Sequence, residues 1–220
     1  MFKEIVKVTL STCKNQLFTA NFSNARLIYK LKYIFPKILK YKNWSKILCI
    51  ATTSFIIAAY DENGIPNAMA STWGGIRNEN EISICSSSER KKLKNIMLHG
   101  AFTVSMSDAS FLEACDYLGN ETGNEVPNKF AKTGLKATKS KYVNAPIIEE
   151  STLVIECELT EIVRGNHIRA IVGKMVNVAV DESVLNERGK IDAKKTGMLF
   201  FDSFSYSYFT LRNKFGNYRI

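Results

Sequence analysis

The sequence predicts a mainly β domain with short helices, an α+β chain whose strands form an antiparallel barrel. Two observations lead to this prediction. Short apolar or alternating segments recur from about residue 52 to the C-terminus, and residues that favour tight turns separate several of them. The helical patterns between these segments are few and short. Many strands with few short helices are typical of antiparallel barrels.

The domain begins with a predicted hairpin. Residues 55–60 are continuously apolar and form a strand, and residues 61–64 supply a turn because Gly64 can adopt a positive φ. A second strand follows this turn. Residues 81–85 alternate between apolar and polar positions, which predicts another strand.

A short helix is predicted directly after the strand at residues 81–85. Ser88 can cap its N-terminus, its apolar positions recur at helical spacing, and Gly100 can close it. Alternation over residues 102–106 then predicts a strand, and a further short helix is expected around residues 110–118.

The C-terminal half is predicted to hold a long β-hairpin. Residues 153–160 alternate, residues 164–167 provide a turn, and alternation resumes over residues 168–180. The hairpin adds two long antiparallel strands to the barrel.

The formal charge of +9 lies in an N-terminal arm, residues 1–50. The arm carries ten of the 30 Lys and Arg residues and one of the 21 acidic residues, Glu4, so residues 51–220 are predicted to form a neutral domain. This domain has no overall electrostatic preference for nucleic acid. We interpret the arm as an extension that is disordered or not part of the functional protein. The alternative is binding of nucleic acid or a membrane surface through its lysines.

Cysteine and histidine usage excludes some functional classes. The five cysteines are widely spaced and show no metal-ligand spacing, so no metal site is predicted and a reducing, cytoplasmic compartment fits best. Structural roles are expected for His99 and His167, and a buried, inert thiol for Cys115. No apolar run reaches the roughly 20 residues that a membrane span requires.

Residues 66–75 form a candidate ligand-binding segment. The segment is predicted as a strand whose small side chains let its backbone approach a flat ligand closely. The alternative is a purely structural strand with Trp73 buried in the core.

Residues 86–92 form a second candidate segment, where the strand at residues 81–85 meets the next helix. Serine hydroxyls, backbone N–H groups and basic side chains converge at a helix N-terminus, which favours a phosphate. The alternative is a serine-capped surface helix. Because a basic first turn opposes the helix dipole, the charge placement favours a bound anion.

Nine short motifs occur in order between residues 60 and 185. They are Tyr60–Met69, Trp73–Gly75, Lys94–Ile96, Gly100–Ser105, Cys115–Gly119, Gly123–Phe130, Ala145–Glu150, Val172–Gly173 and Asp181–Leu185. In their order and spacing they resemble the flavin reductase-like, FMN-binding split-barrel family, in particular its flavoredoxin-like branch.

The resemblance implies a Greek-key split barrel that forms a homodimer, with FMN near the subunit interface. The FMN-binding residues that it implies are Asn67, Ala68, Met69, Ala70, Ser71, Thr72 and Trp73 for the isoalloxazine and ribityl chain, and Ser86, Ser87, Ser88, Arg90, Lys91, Lys92 and Asn95 for the phosphate. Tyr208 falls on an aromatic position that relatives share, where core packing is expected. No catalytic residue is assigned.

The chain departs from the family pattern at four places. Relatives tend to carry Thr after two basic residues in the phosphate segment, whereas this chain reads Arg90-Lys91-Lys92, so the hydroxyl must come from Ser86 to Ser88. Ala51 to Ser54 replaces a proline-rich lead-in. Ser203 replaces an expected Pro, and Arg212-Asn213 an expected Gly.

The resemblance implies an oxidoreductase, either an NAD(P)H-dependent flavin reductase or a flavoredoxin-type electron-transfer protein. Hydride or electrons would pass from NADH or NADPH through FMN to an acceptor that the sequence does not identify. The protein supplies mainly position and electrostatics in such chemistry, so a catalytic triad is not needed. The alternative is a flavin-binding module without turnover.

Overall fold

The computed structural model describes residues 51–87, 91–166, 168–214 and 216. The N-terminal arm therefore lies outside the described residues, and so do the predicted site residues Ser88 and Arg90 and the turn residue His167. The interpretation of the arm and the domain boundary at residue 51 stay predictions.

The described residues form twelve strands and two α-helices, so the predicted mainly β fold with short helices is confirmed. The helices are α1 (Lys91–His99) and α2 (Leu112–Asn120). The strands are β1 (Thr52–Thr53), β2 (Phe55–Tyr60), β3 (Pro66–Ser71), β4 (Gly74–Asn78), β5 (Glu81–Ser87), β6 (Ala101–Met106), β7 (Ala137–Lys139), β8 (Pro146–Ile148), β9 (Leu153–Arg164), β10 (Ile168–Val180), β11 (Leu199–Asp202) and β12 (Ser207–Thr210).

Seven strands form one antiparallel sheet in the order β3-β2-β6-β9-β10-β5-β4. Its two edge strands, β3 and β4, are consecutive in the chain and are joined only by Thr72 and Trp73. In a flat sheet these edges would lie about 29 Å apart. The link from Ser71 to Gly74 can span at most about 11 Å. The sheet must therefore curl into a barrel that stays open between β3 and β4, the predicted split barrel.

The predicted hairpin is observed as β2 and β3. Gly64 has a φ of 75° in the turn, as expected. The Asp61 side chain fixes this turn, because its Oδ1 accepts hydrogen bonds from the backbone N–H groups of Asn63 and Ile65, both at 2.9 Å. The long hairpin of β9 and β10 is also observed, with register shifts at Val172/Gly173 and Met175/Asn177.

The segment 66–75 is not one strand, contrary to the prediction. It breaks at Thr72 and Trp73, and its two halves lie on opposite edges of the sheet. Trp73 is 59% exposed, so the alternative of a tryptophan buried in the core is wrong.

The barrel interior is filled by side chains from both the sheet and α1. Phe102 on β6 is fully buried there, together with Leu93 and Ile96 from α1. A hydrogen bond of 2.8 Å from the Gly100 N–H to the Ile96 carbonyl ends α1. The helix thus closes the interior through its apolar face.

A second apolar layer covers the outer face of β2 and β3. Cys115 and Leu118, one helical turn apart on α2, are fully buried against Ile56, Ala58 and Ala68. This packing holds α2 beside β3 and leaves its other face toward solvent. The buried thiol of Cys115 agrees with the expected structural role.

A small separate sheet joins both ends of the domain in the order β1-β11-β12. Thr52 pairs with Phe201, which in turn pairs with Tyr208. The lead-in that departs from a proline-rich pattern therefore forms a strand. Within the described part of the chain, no helix is long and apolar enough to cross a membrane.

Gly173 provides a test of the barrel interior. A Cβ at this position would lie 2.4 Å from Phe102 Cζ and 3.0 Å from Cys157 Cβ. We therefore expect Gly173→Ala to lower the free energy of unfolding by about 1–3 kcal/mol, because overpacking forces core side chains to shift.

Gly75→Ala is the matched control for this substitution, since nothing lies within 4 Å of a Cβ at that exposed strand position. It should change stability by less than about 0.5 kcal/mol. Denaturant unfolding measures both variants, and equal stabilities would contradict the close packing.

Candidate functional site

A cavity of about 690 Å³ opens beside the outer edge of β3. Its volume lies within the range of about 300–1,000 Å³ that is typical of small-molecule sites. One wall consists of residues 69–73 with Cys85 and Ser86 of β5, while α2 and the C-terminal strands form the opposite wall. The cavity thus lies where the barrel is split.

The first wall is largely main chain. Within the described residues, β3 pairs only with β2, so its outer edge presents backbone N–H and C=O groups to the cavity. The small side chains of Ala70 and Ser71 allow close approach to that edge. The Trp73 N–H donates to Ser71 Oγ at 3.2 Å, and the Trp73 carbonyl accepts from the Cys85 N–H at 2.7 Å. These bonds fix the crossing from β3 to β4.

Five of the seven residues predicted to contact the isoalloxazine and ribityl chain line this cavity. They are Met69, Ala70, Ser71, Thr72 and Trp73. Ala68 does not, because its side chain is fully buried against α2. Asn67 is buried and lines a smaller neighbouring cavity instead.

The smaller cavity, of about 10 Å³, has room for about one water molecule. It shares Met69 with the larger cavity. Its lining is rich in lysine and consists of Asn67, Met69, Lys91, Lys92, Thr122, Gly123 and Lys129. A lysine-rich cavity therefore adjoins the wall formed by residues 69–73.

Two of these lysines are almost completely buried. Lys92 Nζ donates a hydrogen bond to the Asn67 carbonyl. Lys129 Nζ donates to the carbonyls of Leu118 and Glu121 at 3.0 and 2.7 Å, at the C-terminal end of α2. A cation at this end of a helix is favoured by the helix dipole.

Burial is the main cause that holds the pKa of Lys92 well below its usual value of 10.5. The neighbouring charges of Lys129 and Lys91 lower this pKa further, and the Asp61 carboxylate counteracts them. Lys91 Nζ lies 3.7 Å from Asp61 Oδ2. An anion beside these lysines would stabilise their charged forms.

Three of the seven residues predicted to bind phosphate line one of the two cavities. Ser86 lines the larger cavity, whereas Lys91 and Lys92 line the smaller one. Ser87 ends β5, where it pairs with Ile168. Asn95 lies one turn beyond Lys91 on α1 and is buried, and its Nδ2 has no hydrogen-bond partner.

The opposite wall carries polar and aromatic side chains that the sequence did not predict as ligand contacts. The Tyr208 hydroxyl donates to Asp116 Oδ1 at 3.2 Å, and Asn120 Nδ2 donates to Asp116 Oδ2 at 3.0 Å. The Phe201 and Tyr208 rings lie 5.2 Å apart. Tyr206 completes the aromatic part of this wall.

Tyr208 therefore faces the cavity instead of serving only in core packing. Burial, followed by the neighbouring Asp116 charge, raises the pKa of Tyr208 to about 12, which keeps the phenol neutral near pH 7. No periodic pattern in the sequence identified Asp116, Tyr208 or Lys129 as site residues. Only the tertiary fold brings them close to the β3 segment.

The low pKa of Lys92 gives a pH-dependent prediction. Between the lowered pKa of Lys92 and its usual value of 10.5, the unfolded chain binds a proton at Lys92 and the folded chain does not. The free energy of unfolding therefore rises with pH in this range. Lys92→Met abolishes this contribution. Raising the pH from about 7 to about 9.5 should therefore increase the free energy of unfolding of the wild type relative to that of Lys92→Met.

Denaturant unfolding at both pH values measures this difference. Lys94→Met, on the exposed side of the same helix, is the control and should follow the wild type. A Lys92→Met variant whose stability runs parallel to that of the wild type would contradict the shifted pKa.

Comparisons with solved structures identify similar folds. Flavoredoxin of Desulfovibrio vulgaris (Miyazaki F) is 28% identical, with a TM-score of 0.76 over 81% of this chain and 97% of that protein. Flavoredoxin from Methanosarcina acetivorans is 22% identical, with a TM-score of 0.73 over 81% and 94% of the two chains. Nitrilotriacetate monooxygenase component B from Bacillus cereus is 18% identical, with a TM-score of 0.69 over 93% and 100%. The last two likenesses concern the fold alone.

Sequence comparison agrees with this likeness. An uncharacterized protein of Aquifex aeolicus is 29% identical over 149 residues, which cover 68% of this chain and 70% of that protein. The family described as flavin reductase like domain matches residues 47–206, which is most of the chain. The protein therefore belongs to the flavin reductase-like family.

Proposed function

We propose that the protein binds FMN in the larger cavity and moves hydride or electrons between a nicotinamide donor and a further acceptor. It would act as an NAD(P)H-dependent flavin reductase or as a flavoredoxin-type electron-transfer protein. The observation that carries the proposal is the position of the 690 Å³ cavity, whose main-chain wall of residues 69–73 lies beside a cluster of lysines.

The wall formed by β3 and the neighbouring lysine cluster suit the two ends of FMN. The open edge of β3 offers N–H and C=O groups to the heteroatoms of the isoalloxazine, and the exposed indole of Trp73 offers an aromatic surface. Lys91, Lys92 and the unpartnered Nδ2 of Asn95 lie on the side where the phosphate end would be held. The larger cavity thus has the size and the main-chain edge that suit the ring of FMN.

FMN, when bound, would supply the atom that accepts hydride, so the protein needs no acid–base residue for that step. The task of the chain is to hold the ring against β3 and to restrict access of water and competing acceptors.

The decisive experiment is an absorption spectrum of the purified protein, followed by anaerobic titration with NADH and with NADPH. Bleaching of the flavin absorption by either donor supports the proposed oxidoreductase. A yellow protein that neither nucleotide bleaches would favour the alternative of a flavin-binding module without turnover. Failure to bind added FMN would overturn both.

Trp73 allows a sharper test of where FMN binds. Trp73→Ala should weaken FMN affinity about 5- to 150-fold, the equivalent of about 1–3 kcal/mol for an aromatic stacking contact. Fluorescence titration of FMN measures the affinity. Tyr142→Ala is the control, because Tyr142 is a similarly exposed aromatic residue outside the cavity lining and its loss should leave the affinity unchanged.

The predicted homodimer is also part of this proposal. All five residues of the edge strand β4 are exposed, including Ile76, and an exposed, apolar edge strand can pair with another chain. Light scattering should give twice the chain mass of 24.8 kDa. Ile76→Lys should shift the mass toward the monomer, and a monomeric wild type would contradict the prediction.

The cytoplasmic location stays a prediction. The three cysteines in the described residues, Cys85, Cys115 and Cys157, are free thiols, which is consistent with a reducing compartment.

Burial raises the pKa of the Cys157 thiol to about 12 and also raises that of Cys115, so neither acts as a reactive thiolate near pH 7.

A further inference from the structure

The wall opposite β3 carries chemistry that FMN binding does not use. It consists of Asp116, Gly119 and Asn120 from α2, and of three aromatic residues from β11, β12 and their connection. If the edge of a flat ring is held by the open edge of β3, this wall borders the space beside the ring that a second molecule would enter. The inference drawn from it therefore rests on the proposed function.

Asp116 is held in a defined position on this wall. Each of its carboxylate oxygens accepts one hydrogen bond, from the Tyr208 hydroxyl and from Asn120 Nδ2. A carboxylate has about four acceptor positions, so roughly two stay available to other partners. The negative charge is thus held by two hydrogen bonds, and no described residue of this lining carries a positive charge beside it.

The charge of the cavity lining is one-sided. Among the residues that the structure describes, fourteen line the cavity; none of these is Lys, Arg or His, and Asp116 is the carboxylate among them. Tyr208 stays a neutral phenol, as shown above. A molecule that enters the cavity therefore meets negative charge, in contrast to the lysines of the neighbouring small cavity.

The same lining is rich in aromatic rings. Trp73, Phe201, Tyr206 and Tyr208 surround the cavity, and Phe201 contacts both tyrosine rings at centroid distances of 5.2 and 6.3 Å. Such rings favour a flat, apolar or aromatic guest. Shape and charge together define the class of molecule that fits.

We propose that this wall selects the electron acceptor by charge, admitting uncharged planar aromatic acceptors of the quinone class and disfavouring anionic ones. Asp116 is the residue that determines this specificity. Tyr208 and Asn120 are positioning residues that act through Asp116.

The net reaction with a quinone is balanced by the donor and solvent. The C4–H bond of NAD(P)H breaks and leaves NAD(P)⁺. The hydride supplies two electrons and one of the two protons that the quinone gains. The quinone is reduced to a hydroquinone with two new O–H bonds, and the second proton comes from solvent. No further oxidant or reductant is required.

The test compares 1,4-naphthoquinone with 1,4-naphthoquinone-2-sulfonate, which share a ring system and differ by one negative charge. Binding of each to the oxidised, FMN-supplemented protein is measured without nicotinamide by quenching of tryptophan fluorescence. The ratio of kcat/KM for the two quinones is then measured with the nicotinamide donor. Differences in quinone reduction potential cancel when this ratio is compared between variants.

Asp116→Asn keeps the size of the side chain and removes its charge. It should shift both the binding ratio and the kcat/KM ratio toward the sulfonate by about fivefold or more, as expected for one unit charge a few ångströms away. Tyr208→Phe keeps the ring but releases one carboxylate oxygen, so it should shift the ratios in the same direction by a smaller factor.

Glu113→Gln is the matched control, because Glu113 lies on the same helix, is exposed and does not line the cavity. It removes the same charge and should leave both ratios as in the wild type. Melting temperatures establish that each variant is folded.

The possible outcomes separate the two proposals. FMN binding without nicotinamide oxidation would contradict the proposed turnover, while the fluorescence ratio would still decide charge selection. Equal ratios in the wild type and Asp116→Asn would overturn the role of Asp116. Equal shifts in Asp116→Asn and Glu113→Gln would show a general charge effect and would overturn it as well.

Discussion

The structure depends most on the two-residue connection between β3 and β4. Because Thr72 and Trp73 must join strands at opposite edges of a seven-stranded sheet, the sheet has to close on itself. The connection is closely packed where it enters β4, since a Cβ on Gly74 would lie 2.8 Å from both Phe55 Cζ and the Ser83 carbonyl oxygen. Closure stops at this crossing, and the outer edge of β3 stays open. The larger cavity is a direct consequence.

The second wall follows from how α2 is packed. Its apolar residues Cys115 and Leu118 are buried on the outer face of β2 and β3. Their spacing of three leaves Asp116, Gly119 and Asn120 on the part of the helix that lines the cavity. Gly119 brings the helix close to the strand, because a Cβ there would contact Ala70 Cβ at 3.7 Å. Core packing thus sets the distance between the walls.

Local patterns allowed the elements to be predicted, and long-range contacts explain what they missed. The β2–β3 turn and α1 depend on neighbours in sequence, such as Asp61 with Gly64. No Pro and no run of polar turn residues directly precedes the break at Thr72 and Trp73. The sequence therefore predicts residues 66–75 as one strand. The pairing of Asp116 with Tyr208 joins residues 92 positions apart. Neither alternation nor spacing contains such information, although the resemblance located most of the first wall.

Lysines line one cavity and Asp116 lines the other, so the two cavities together make the charge of the site asymmetric. Lys91, Lys92 and Lys129 lie on one side of Met69, and Asp116 lies in the cavity on the other side. A ligand with a phosphate at one end and a neutral ring at the other is favoured in only one orientation between them. Burial lowers the pKa of Lys92, so an anion at that end would also favour proton retention there. The same asymmetry would orient a bound ring beside an acidic, aromatic wall, which is the physical reason to propose selection among acceptors by charge.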